Sequence, residues 1–277
     1  MARSYRFFLR NGTAAAGEKF LLAAEDEPEI VFQLVKVLRV KSGDVVTLVA
    51  GGKKEENRKL KIENGELGAV FEIVFEVLNV LKNGVELLKK KTVENKNELG
   101  FALSLWLCVP NKPEKLEMIL QKAVEIGASE IVLFDSDFSQ MKHQLRVDRL
   151  EKIMVEAAEQ SERAIIPQLK LRGNLSEFLK KAVAAELANL RVAMERGENI
   201  ENAKTVLLDA KSASTKTAGV ASVAILIGPE GGFSDDEKTL FDELKLRQFS
   251  LGKRILRMET AAVISLGLAA LLDCLDS

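Results

Sequence analysis

The most informative segment of this chain reads Ile225-Leu226-Ile227-Gly228-Pro229-Glu230-Gly231-Gly232-Phe233-Ser234-Asp235-Asp236-Glu237. Its apolar run predicts a buried strand, the glycines predict a turn, and Ser234 with Glu237 forms a capping box, which predicts a helix start. Ligands of open α/β sheets bind at the carboxyl ends of the strands, where this turn would lie. The segment therefore predicts an α/β domain in which glycines let backbone amides approach a ligand. Taken alone, it fits a simple tight turn equally well.

The charges after this turn limit the kind of ligand. A phosphate prefers a positive helix N-terminus, but Asp235, Asp236 and Glu237 occupy the first turn of the predicted helix. The segment also lacks the GxGxxG and GxxxxGK[ST] patterns of nucleotide-binding loops. A nucleotide-dependent α/β enzyme is therefore disfavoured, whereas a cofactor that has no phosphate and carries a cationic sulfonium is compatible with these carboxylates.

A second segment repeats the order of strand, loop and helix. It reads Leu251-Gly252-Lys253-Arg254-Ile255-Leu256-Arg257-Met258-Glu259-Thr260-Ala261-Ala262. A charge run usually marks a solvated surface, but Ile255 and Leu256 interrupt this one, as expected for a loop that folds back on a pocket. Two ligand loops at strand ends indicate a binding site more strongly than one.

The helix after this loop predicts self-association. From Thr260 to Leu275 it is apolar nearly all the way round, so more than one of its faces must be covered. We expect a homodimer built mainly from residues after about 200 and around Pro113 to Ile126. Complete burial of this helix within one copy of the chain is the alternative.

The first hundred residues have the pattern of a small β-structure. Strands are predicted at Val45–Val49 and Val70–Val80, and Asn83-Gly84 predicts a hairpin turn in which both residues adopt a positive φ. Short, closely spaced strands are typical of a small barrel. The polar run Lys89–Glu98 is predicted to be the linker to the rest of the chain.

Beyond that run, strands and helices alternate, which predicts a parallel sheet covered by helices. The predicted strands are Phe101–Val109, Ile131–Phe134, Val206–Leu208, Val223–Ile227 and Phe249–Leu251. The predicted helices run from Pro113 to Gly127, from Leu150 to Ser161, and from an N-cap at Ser176 to about Met194. The fold class is therefore predicted to be α/β.

The composition excludes several classes of function. Among 277 residues there are one histidine, His143, and two cysteines without CxxC spacing, whereas a zinc site takes about four such ligands. We therefore expect no metal, and the polar surroundings of His143 disfavour a catalytic triad. The formal net charge of −1 requires any nucleic-acid contact to come from a local patch.

Targeting signals are not found either. No apolar run reaches the ~20 residues of a membrane span, and the first residues lack the pattern of a signal peptide. Two unpaired cysteines fit a reducing compartment. We expect a cytoplasmic protein without a membrane partner.

Taken together, the segments resemble the ribosomal RNA small subunit methyltransferase E family of the SPOUT superfamily. The resemblance covers nearly the whole chain. It is carried by Val37-Leu38-Arg39 with Gly43-Asp44, by Lys122-Ala123-Val124-Glu125-Ile126-Gly127-Ala128, by Ala157-Ala158-Glu159-Gln160-Ser161-Glu162-Arg163 with Pro167, and by the two loop segments. The family usually has a histidine pair at Phe32-Gln33 and Glu-Arg at Asp137-Phe138, which leaves the effect of these positions on substrate choice open.

The resemblance implies an N-terminal PUA-like β-barrel over residues 1–96 and a trefoil-knotted SPOUT α/β domain over residues 97–277. The knot and the cofactor pocket would lie within about residues 205–277. The implied cofactor is S-adenosylmethionine, the implied methyl acceptor is uridine N3 of 16S ribosomal RNA, and the implied assembly is a homodimer. The residues implied to bind the cofactor are Leu207, Leu208, Ile227, Gly228, Pro229, Glu230, Gly231, Gly232, Leu251, Gly252, Ile255, Leu256, Met258, Thr260 and Ala261.

The charged residues of the second segment are the candidate catalytic residues. The proton on uridine N3 must leave before or during methyl transfer, and a cation beside the pyrimidine carbonyls would stabilise the anion that forms. Arg254 and Arg257 fit this role, and Glu259 would position a guanidinium or accept the proton. An ion pair between Arg257 and Glu259 that only braces the loop is an equally good interpretation.

RNA contacts are expected mainly from a cationic face of the N-terminal part, which carries Arg3, Arg6, Arg10, Lys36, Arg39 and Lys41. The candidate RNA-binding residues are Arg3, Arg6, Arg39, Lys122 and Arg163; for Arg39 and Arg163 a structural ion pair is the alternative. Two other functions stay open, namely a non-catalytic RNA-binding protein of the same fold and a methyltransferase that acts on a different RNA. A cofactor titration would separate the first from an enzyme.

Overall fold

The structure is a computed structural model that describes residues 3–9, 18–50, 62–63, 66–67, 70–139, 145–197, 200–209 and 222–275. Arg10 and His143 lie outside these residues. The chain folds as two compact units. The N-terminal unit contains the described residues up to 50, residues 70–98 and residues 158–166, and the C-terminal unit contains the others.

The described residues before position 96 form seven strands: β1 (Ser4–Leu9), β2 (Lys19–Ala23), β3 (Val45–Ala50), β4 (Ile62–Glu63), β5 (Glu66–Leu67), β6 (Val70–Leu81) and β7 (Gly84–Asn95). Five of them form the sheet of the N-terminal unit in the order β1-β3-β6-β7-β2, and β4 pairs with β5. β1 runs parallel to β3, and the other neighbours are antiparallel. Among the described residues this sheet is open, with β1 and β2 at its edges, so the predicted barrel is not confirmed.

One helical segment packs on this sheet. Helix α1 (Pro28–Phe32) continues into a π-helical turn (Gln33–Val37), in which the Leu38 N–H donates to the Gln33 carbonyl at 2.8 Å. The apolar residues of this segment close the core of the unit together with alternate residues of the strands. The core residues are Phe7, Leu9, Leu22, Ile30, Val31, Leu34, Val40, Val46, Leu48, Phe75, Val77, Val85 and Leu87.

The β6–β7 hairpin corrects two predictions. β7 extends to Asn95, so most of the predicted linker is a strand. The outer half of β7 resembles a linker in the sequence because its residues are mostly exposed and polar. They lie beyond Leu88, where the pairing of β7 with β2 ends. Neither Asn83 nor Gly84 has a positive φ. Gly84 is required for another reason, since a Cβ there would lie 2.6 Å from the Leu22 carbonyl oxygen of β2.

The sheet of the C-terminal unit has seven strands in the order β10-β9-β8-β13-β11-β14-β12, and every pair of neighbours is parallel. The predicted parallel α/β sheet is thus confirmed. The strands are β8 (Ala102–Cys108), β9 (Glu130–Asp135), β10 (Gln168–Asn174), β11 (Leu190–Ala193), β12 (Ile200–Asn202), β13 (Ser222–Ile227) and β14 (Arg247–Ser250). The helices are α2 (Pro113–Ile126), α3 (Val147–Gln160), α4 (Leu175–Lys181), α5 (Ala184–Leu187), α6 (residues 203–209), α7 (Asp235–Glu243) and α8 (Met258–Leu275).

Helices cover both faces of this sheet, as the nearly continuous apolar strands require. On one face, Trp106 and Phe134 pack with residues of α4 and α7 such as Leu179 and Phe241. Helix α8 packs against β8, β13 and α2. Helix α2 begins at Pro113 and ends at Gly127, whose φ of 112° is the left-handed helix end predicted for it.

The region between α3 and β13 corrects three predictions. The long helix predicted from Ser176 to Met194 is replaced by α4, α5 and β11, and the N-cap is Asn174, whose side chain accepts from the Glu177 N–H. The strand predicted at Val206–Leu208 is helical. The residues before β11 are good helix formers, so the sequence predicts that the helix continues through it. In the fold, β11 is a strand because it pairs on both sides, with β13 and β14.

Candidate functional site

Three neighbouring strands of the C-terminal unit end at one edge of the sheet and lead into three loops. β11 is followed by residues 194–196, β13 by the glycine-rich loop (residues 228–233), and β14 by the cationic loop (residues 251–257). Because β13, β11 and β14 are parallel neighbours, these loops meet. They line a cavity of about 600 Å³.

The glycine-rich loop has a fixed backbone. Gly232 has a φ of 75°, which only glycine adopts without strain, and a Cβ on Gly228 would meet the Phe233 ring at 3.0 Å. Phe233 is itself buried, with its ring edge-on to Phe241 at a centroid distance of 4.9 Å. The loop therefore approaches the cavity with backbone atoms while its phenylalanine anchors it in the core.

Glu230 ties this loop to the start of α2. Its carboxylate accepts from Lys115 Nζ at 2.7 Å and from the Asn111 N–H at 3.2 Å. Burial opposes ionisation of Glu230, but the Lys115 ammonium and the backbone N–H groups outweigh it, and the pKa of this carboxyl lies below its ordinary value. The cavity therefore contains a carboxylate that stays ionised at neutral pH.

The capping box predicted at the end of the loop is confirmed. The Ser234 N–H donates to Glu237 at 2.8 Å, and the Glu237 N–H donates to Ser234 Oγ at 3.1 Å. Asp137, which follows β9, joins this network because its N–H donates to Glu237 and its carboxylate accepts from Ser234 Oγ. Burial is the main cause that raises the pKa of the Glu237 carboxyl, and the two N–H donors only partly oppose it.

The cationic loop differs from the glycine-rich loop in its exposure. Arg254 and Arg257 are exposed and line the cavity, and neither makes an ion pair within the described ranges. Glu259, in the first turn of α8, also lines the cavity. Its Oε2 atom is buried and has no hydrogen-bond partner among the described residues. The alternative of an Arg257–Glu259 ion pair that braces the loop is therefore not seen in the described part of the chain.

The structure brings most of the predicted site residues together. The cavity is lined by Ile227, Gly228, Pro229, Glu230, Gly231, Gly232, Leu251, Ile255, Leu256, Met258 and Ala261 of the predicted cofactor set, and by Arg254, Arg257 and Glu259. Four other predicted residues are not part of its lining, namely Gly252, Thr260, and Leu207 and Leu208 of α6.

The sequence analysis missed one wall of the cavity. This wall is formed by Ala193, Met194, Glu195 and Arg196, at the end of the strand that was predicted as a helix. The predicted helix is interrupted at Val183, which has an extended backbone, but in the sequence a single β-branched residue is only a weak signal of this break. Lys115 of α2 also reaches the cavity from outside the two loop segments.

The candidate RNA-binding residues fall into two groups. Arg3 and Arg39 are exposed, and Lys122 pairs with Glu125 at 2.8 Å on α2. Arg6 and Arg163 are instead enclosed in the N-terminal unit by carboxylates: Arg6 pairs with Glu72 and Arg163 with Glu98, both at 2.6 Å, and the Arg163 side chain is only 3% exposed. For Arg163, the surroundings therefore agree with the alternative of a structural ion pair.

The structure gives little support for a metal centre, a membrane-spanning helix or a cysteine nucleophile. In the part of the chain that the structure describes, no three His, Cys, Asp or Glu side chains gather as metal ligands would. None of the described helices has the length and apolarity to cross a bilayer. Cys108 is fully buried, and burial raises the pKa of its thiol far above the ordinary value, so it is not a thiolate nucleophile.

A ligand cavity at the carboxyl ends of a parallel sheet defines an α/β enzyme or binding protein, and comparison with known families defines the class further. The profile of the family described as RNA methyltransferase domain matches residues 97–270, so this part of the chain is an RNA methyltransferase domain. The ribosomal RNA small subunit methyltransferase E of Mesomycoplasma hyopneumoniae is 30% identical over 217 residues, which cover 76% of this chain and 87% of the relative. The chain belongs to the ribosomal RNA small subunit methyltransferase E family.

Two further relatives agree with this assignment. The Rickettsia conorii protein of the same name is 28% identical over 220 residues, which cover 78% of this chain and 82% of the relative. A ribosomal RNA small subunit methyltransferase E from Neisseria gonorrhoeae, solved bound to S-adenosyl methionine, has a TM-score of 0.73 at 23% identity and covers 98% of both chains. The solved structure shows that the fold is shared.

Proposed function

We propose that this chain is an S-adenosylmethionine-dependent methyltransferase that acts on N3 of a uridine in 16S ribosomal RNA. The observation that carries the proposal is the cavity between the glycine-rich loop and the cationic loop. Family membership supports RNA methylation, and the Neisseria gonorrhoeae relative is bound to S-adenosyl methionine.

The chemistry of the cavity suits this cofactor. Its volume lies within the ~300–1,000 Å³ typical of small-molecule sites. Glu230 and Glu259 place carboxylates in the lining of the cavity, which is compatible with the cationic sulfonium of this cofactor. Gly232 leaves room for a ligand against the backbone, since a Cβ there would meet no atom within 4 Å. When bound, S-adenosylmethionine supplies an electrophilic methyl carbon.

The residues of the cationic loop would activate the uridine. Glu259, whose buried Oε2 has no partner among the described residues, would accept the N3 proton. Arg254 and Arg257 would stabilise the negative charge that then spreads over the uracil carbonyl oxygens. Their lack of ion pairs within the described ranges supports this role, because a guanidinium already neutralised by a carboxylate would stabilise an anion less.

The N-terminal unit would bind RNA through exposed cations. Arg3, Arg39 and Lys41 are exposed there, so they are better placed for phosphate contact than the partly buried Arg6 and the buried Arg163, to which we assign a structural role. RNA affinity should fall steeply with salt, because each phosphate contact releases counterions.

We also propose a homodimer, with a trefoil knot within about residues 205–277 as the family resemblance implies. Ile264, Leu268 and Leu271 stand at helical spacing on α8 and keep 40%, 37% and 56% of their surfaces exposed. A second copy would cover this apolar face. Sedimentation should show a dimer at micromolar concentration, which Leu268→Glu should dissociate. A wild-type monomer with full activity would contradict the dimer.

The experiment that tests the function uses the full chain, labelled S-adenosylmethionine and unmodified small-subunit RNA. Mass spectrometry of the RNA nucleosides should show 3-methyluridine. Methyl transfer to another nucleotide would favour the methyltransferase that acts on a different RNA or position. Cofactor or RNA binding without transfer would favour a non-catalytic protein, and a folded chain that does not bind the cofactor at millimolar concentration would contradict the proposal.

A further inference from the structure

An exposed apolar and cationic surface lies at the end of α1 in the N-terminal unit. Phe32 and Val37 keep 59% and 62% of their surfaces exposed, although both belong to a helical segment that packs on the core. Lys36 and Arg39 are also exposed. We call these four residues the Phe32 platform.

The backbone of the platform is anchored from below. Leu34 is completely buried and Val40 nearly so, and the Val40 N–H donates to the Leu34 carbonyl at 3.0 Å. Phe32 precedes Leu34 by two residues, and Val37 lies between Leu34 and Val40. The exposure of Phe32 and Val37 therefore belongs to a fixed surface and not to a loosely held loop.

Two unusual backbone conformations occur in this short segment. The π-helical turn Gln33–Val37 is a rare conformation that is often found at functional sites. Arg39 has a φ of 53°, a left-handed conformation that is strained for any residue with a Cβ. A glycine would relieve this strain, so the arginine at this position indicates a use for its guanidinium.

The charge of the segment identifies the chemistry of a partner. Lys36, Arg39 and Lys41 follow Phe32 with no carboxylate among residues 32–41, whereas the exposed carboxylates of this segment, Glu25, Asp26 and Glu29, all precede Phe32. An exposed aromatic ring followed by exposed cations is a combination that binds single-stranded nucleic acid, since the ring stacks on a base and the cations contact the phosphates. A duplex offers no free base face to such a ring.

We propose, on the basis of the RNA substrate proposed above, that the Phe32 platform binds an unpaired nucleotide of that RNA. The base stacks on Phe32, and Lys36 and Arg39 contact the flanking phosphates. The platform thereby selects RNA in which bases beside the methylated site are single-stranded.

The test compares the full-length wild type with Phe32→Ala and Phe71→Ala. Phe71 is a matched control, because it is 54% exposed in the same unit but pairs in strand register with Glu94 instead of being followed by exposed cations. Phe32→Ala should weaken binding of a uridine-rich single-stranded oligonucleotide roughly tenfold, as expected for one lost base stack. Binding of a duplex of equal length, cofactor affinity and melting temperature should not change. Phe32→Tyr should retain the affinity.

A direct readout of stacking comes from Phe32→Trp. The chain has one tryptophan, Trp106, which is buried in the core of the C-terminal unit. Addition of the oligonucleotide should quench the fluorescence of the new indole and leave that of wild type unchanged. Lys36→Ala and Arg39→Ala should weaken binding to single-stranded and duplex RNA alike and should each lower the salt dependence by about one phosphate contact.

The possible outcomes separate the platform from the methyltransferase activity. Equal single-strand affinity of Phe32→Ala and Phe71→Ala, or no quenching in Phe32→Trp, would overturn the platform while methylation by the wild type still supports the enzyme. A wild type that neither binds the oligonucleotide nor methylates RNA would overturn both.

Discussion

The glycine-rich loop and the cationic loop line the same cavity, but they are held in different ways. The first is fixed by Phe233 in the core, by Glu230 on Lys115 and by the capping box that follows it. The second presents Arg254 and Arg257 to solvent without ion pairs in the described ranges. This difference indicates a division of roles, in which one loop shapes the ligand site in advance and the other keeps its charges available for the reacting base.

The largest effect is expected in the cationic loop. The double substitution Arg254→Ala/Arg257→Ala should lower kcat about 10³-fold, because it removes the cations that would stabilise the uracil anion. Cofactor affinity and melting temperature should change little, since neither side chain is part of a described ion pair. Lys253→Ala is the control, as Lys253 is exposed in the same loop but does not line the cavity. An equal loss of kcat in both variants would contradict a special role of the two arginines.

A smaller loss, about 100-fold in kcat, is expected for Glu259→Gln, because an amide does not accept the N3 proton. Glu259 as a structural brace and Glu259 as a catalytic base predict different effects of this substitution on the stability of the protein. The substitution removes the charge of a carboxylate whose buried Oε2 has no partner among the described residues, so it should leave the melting temperature unchanged or higher. A lower melting temperature with normal kcat would instead identify Glu259 as a structural residue.

In the glycine-rich loop, Glu230→Gln should act on binding and not on the chemical step. The loss of its bond from Lys115 should weaken cofactor binding roughly tenfold, or about 1.4 kcal/mol, with kcat retained. Because the pKa of Glu230 is lowered, its contribution to stability is present above the ordinary carboxyl pKa and is lost as the pH falls through the lowered value. The variant should lack this acid dependence. Glu243→Gln, on the exposed side of α7, should behave as wild type in calorimetry.

The smallest effect is expected for Glu237→Gln. The raised pKa of Glu237 means that the folded state holds its proton more tightly than the unfolded state. Stability should therefore fall as the pH rises from the ordinary carboxyl value to the raised one, and the variant should lose this slope. At neutral pH the two proteins should agree within about 1 kcal/mol, since a lost hydrogen bond offsets the removed charge. Denaturation across this pH range, with Asp236→Asn as control, measures the slope; an unchanged slope in Glu237→Gln would contradict the assignment.

Local signals explain what the sequence predicted well. The capping box at Ser234, the helix from Pro113 to Gly127 and the two loops at the strand ends depend on residues a few positions apart, so they can be recognised without the fold. β11 was missed because its sequence follows good helix formers and its strand state depends on two distant neighbours, β13 and β14. β7 was mistaken for a linker because its outer half has few buried side chains.

The same distinction applies to the site residues. Arg163 and Glu98 are 65 positions apart, so no spacing rule could show that they form a buried pair. Arg6 and Glu72 are separated by 66 positions. Sequence alone therefore treated these arginines as available for RNA, and only the fold showed the carboxylates that enclose them.

The position of residues 158–166 has a consequence for synthesis of the chain. They belong to the N-terminal unit, although residues 99–157 of the other unit intervene. During translation at ~5–20 residues per second, this intervening stretch takes roughly 3–12 s to make. Throughout that delay the nascent chain holds Glu98 without Arg163, and Phe8 without Glu159, which accepts its N–H in the finished unit. The N-terminal unit can therefore finish folding only after residue 166 has been made, although most of its residues precede residue 99.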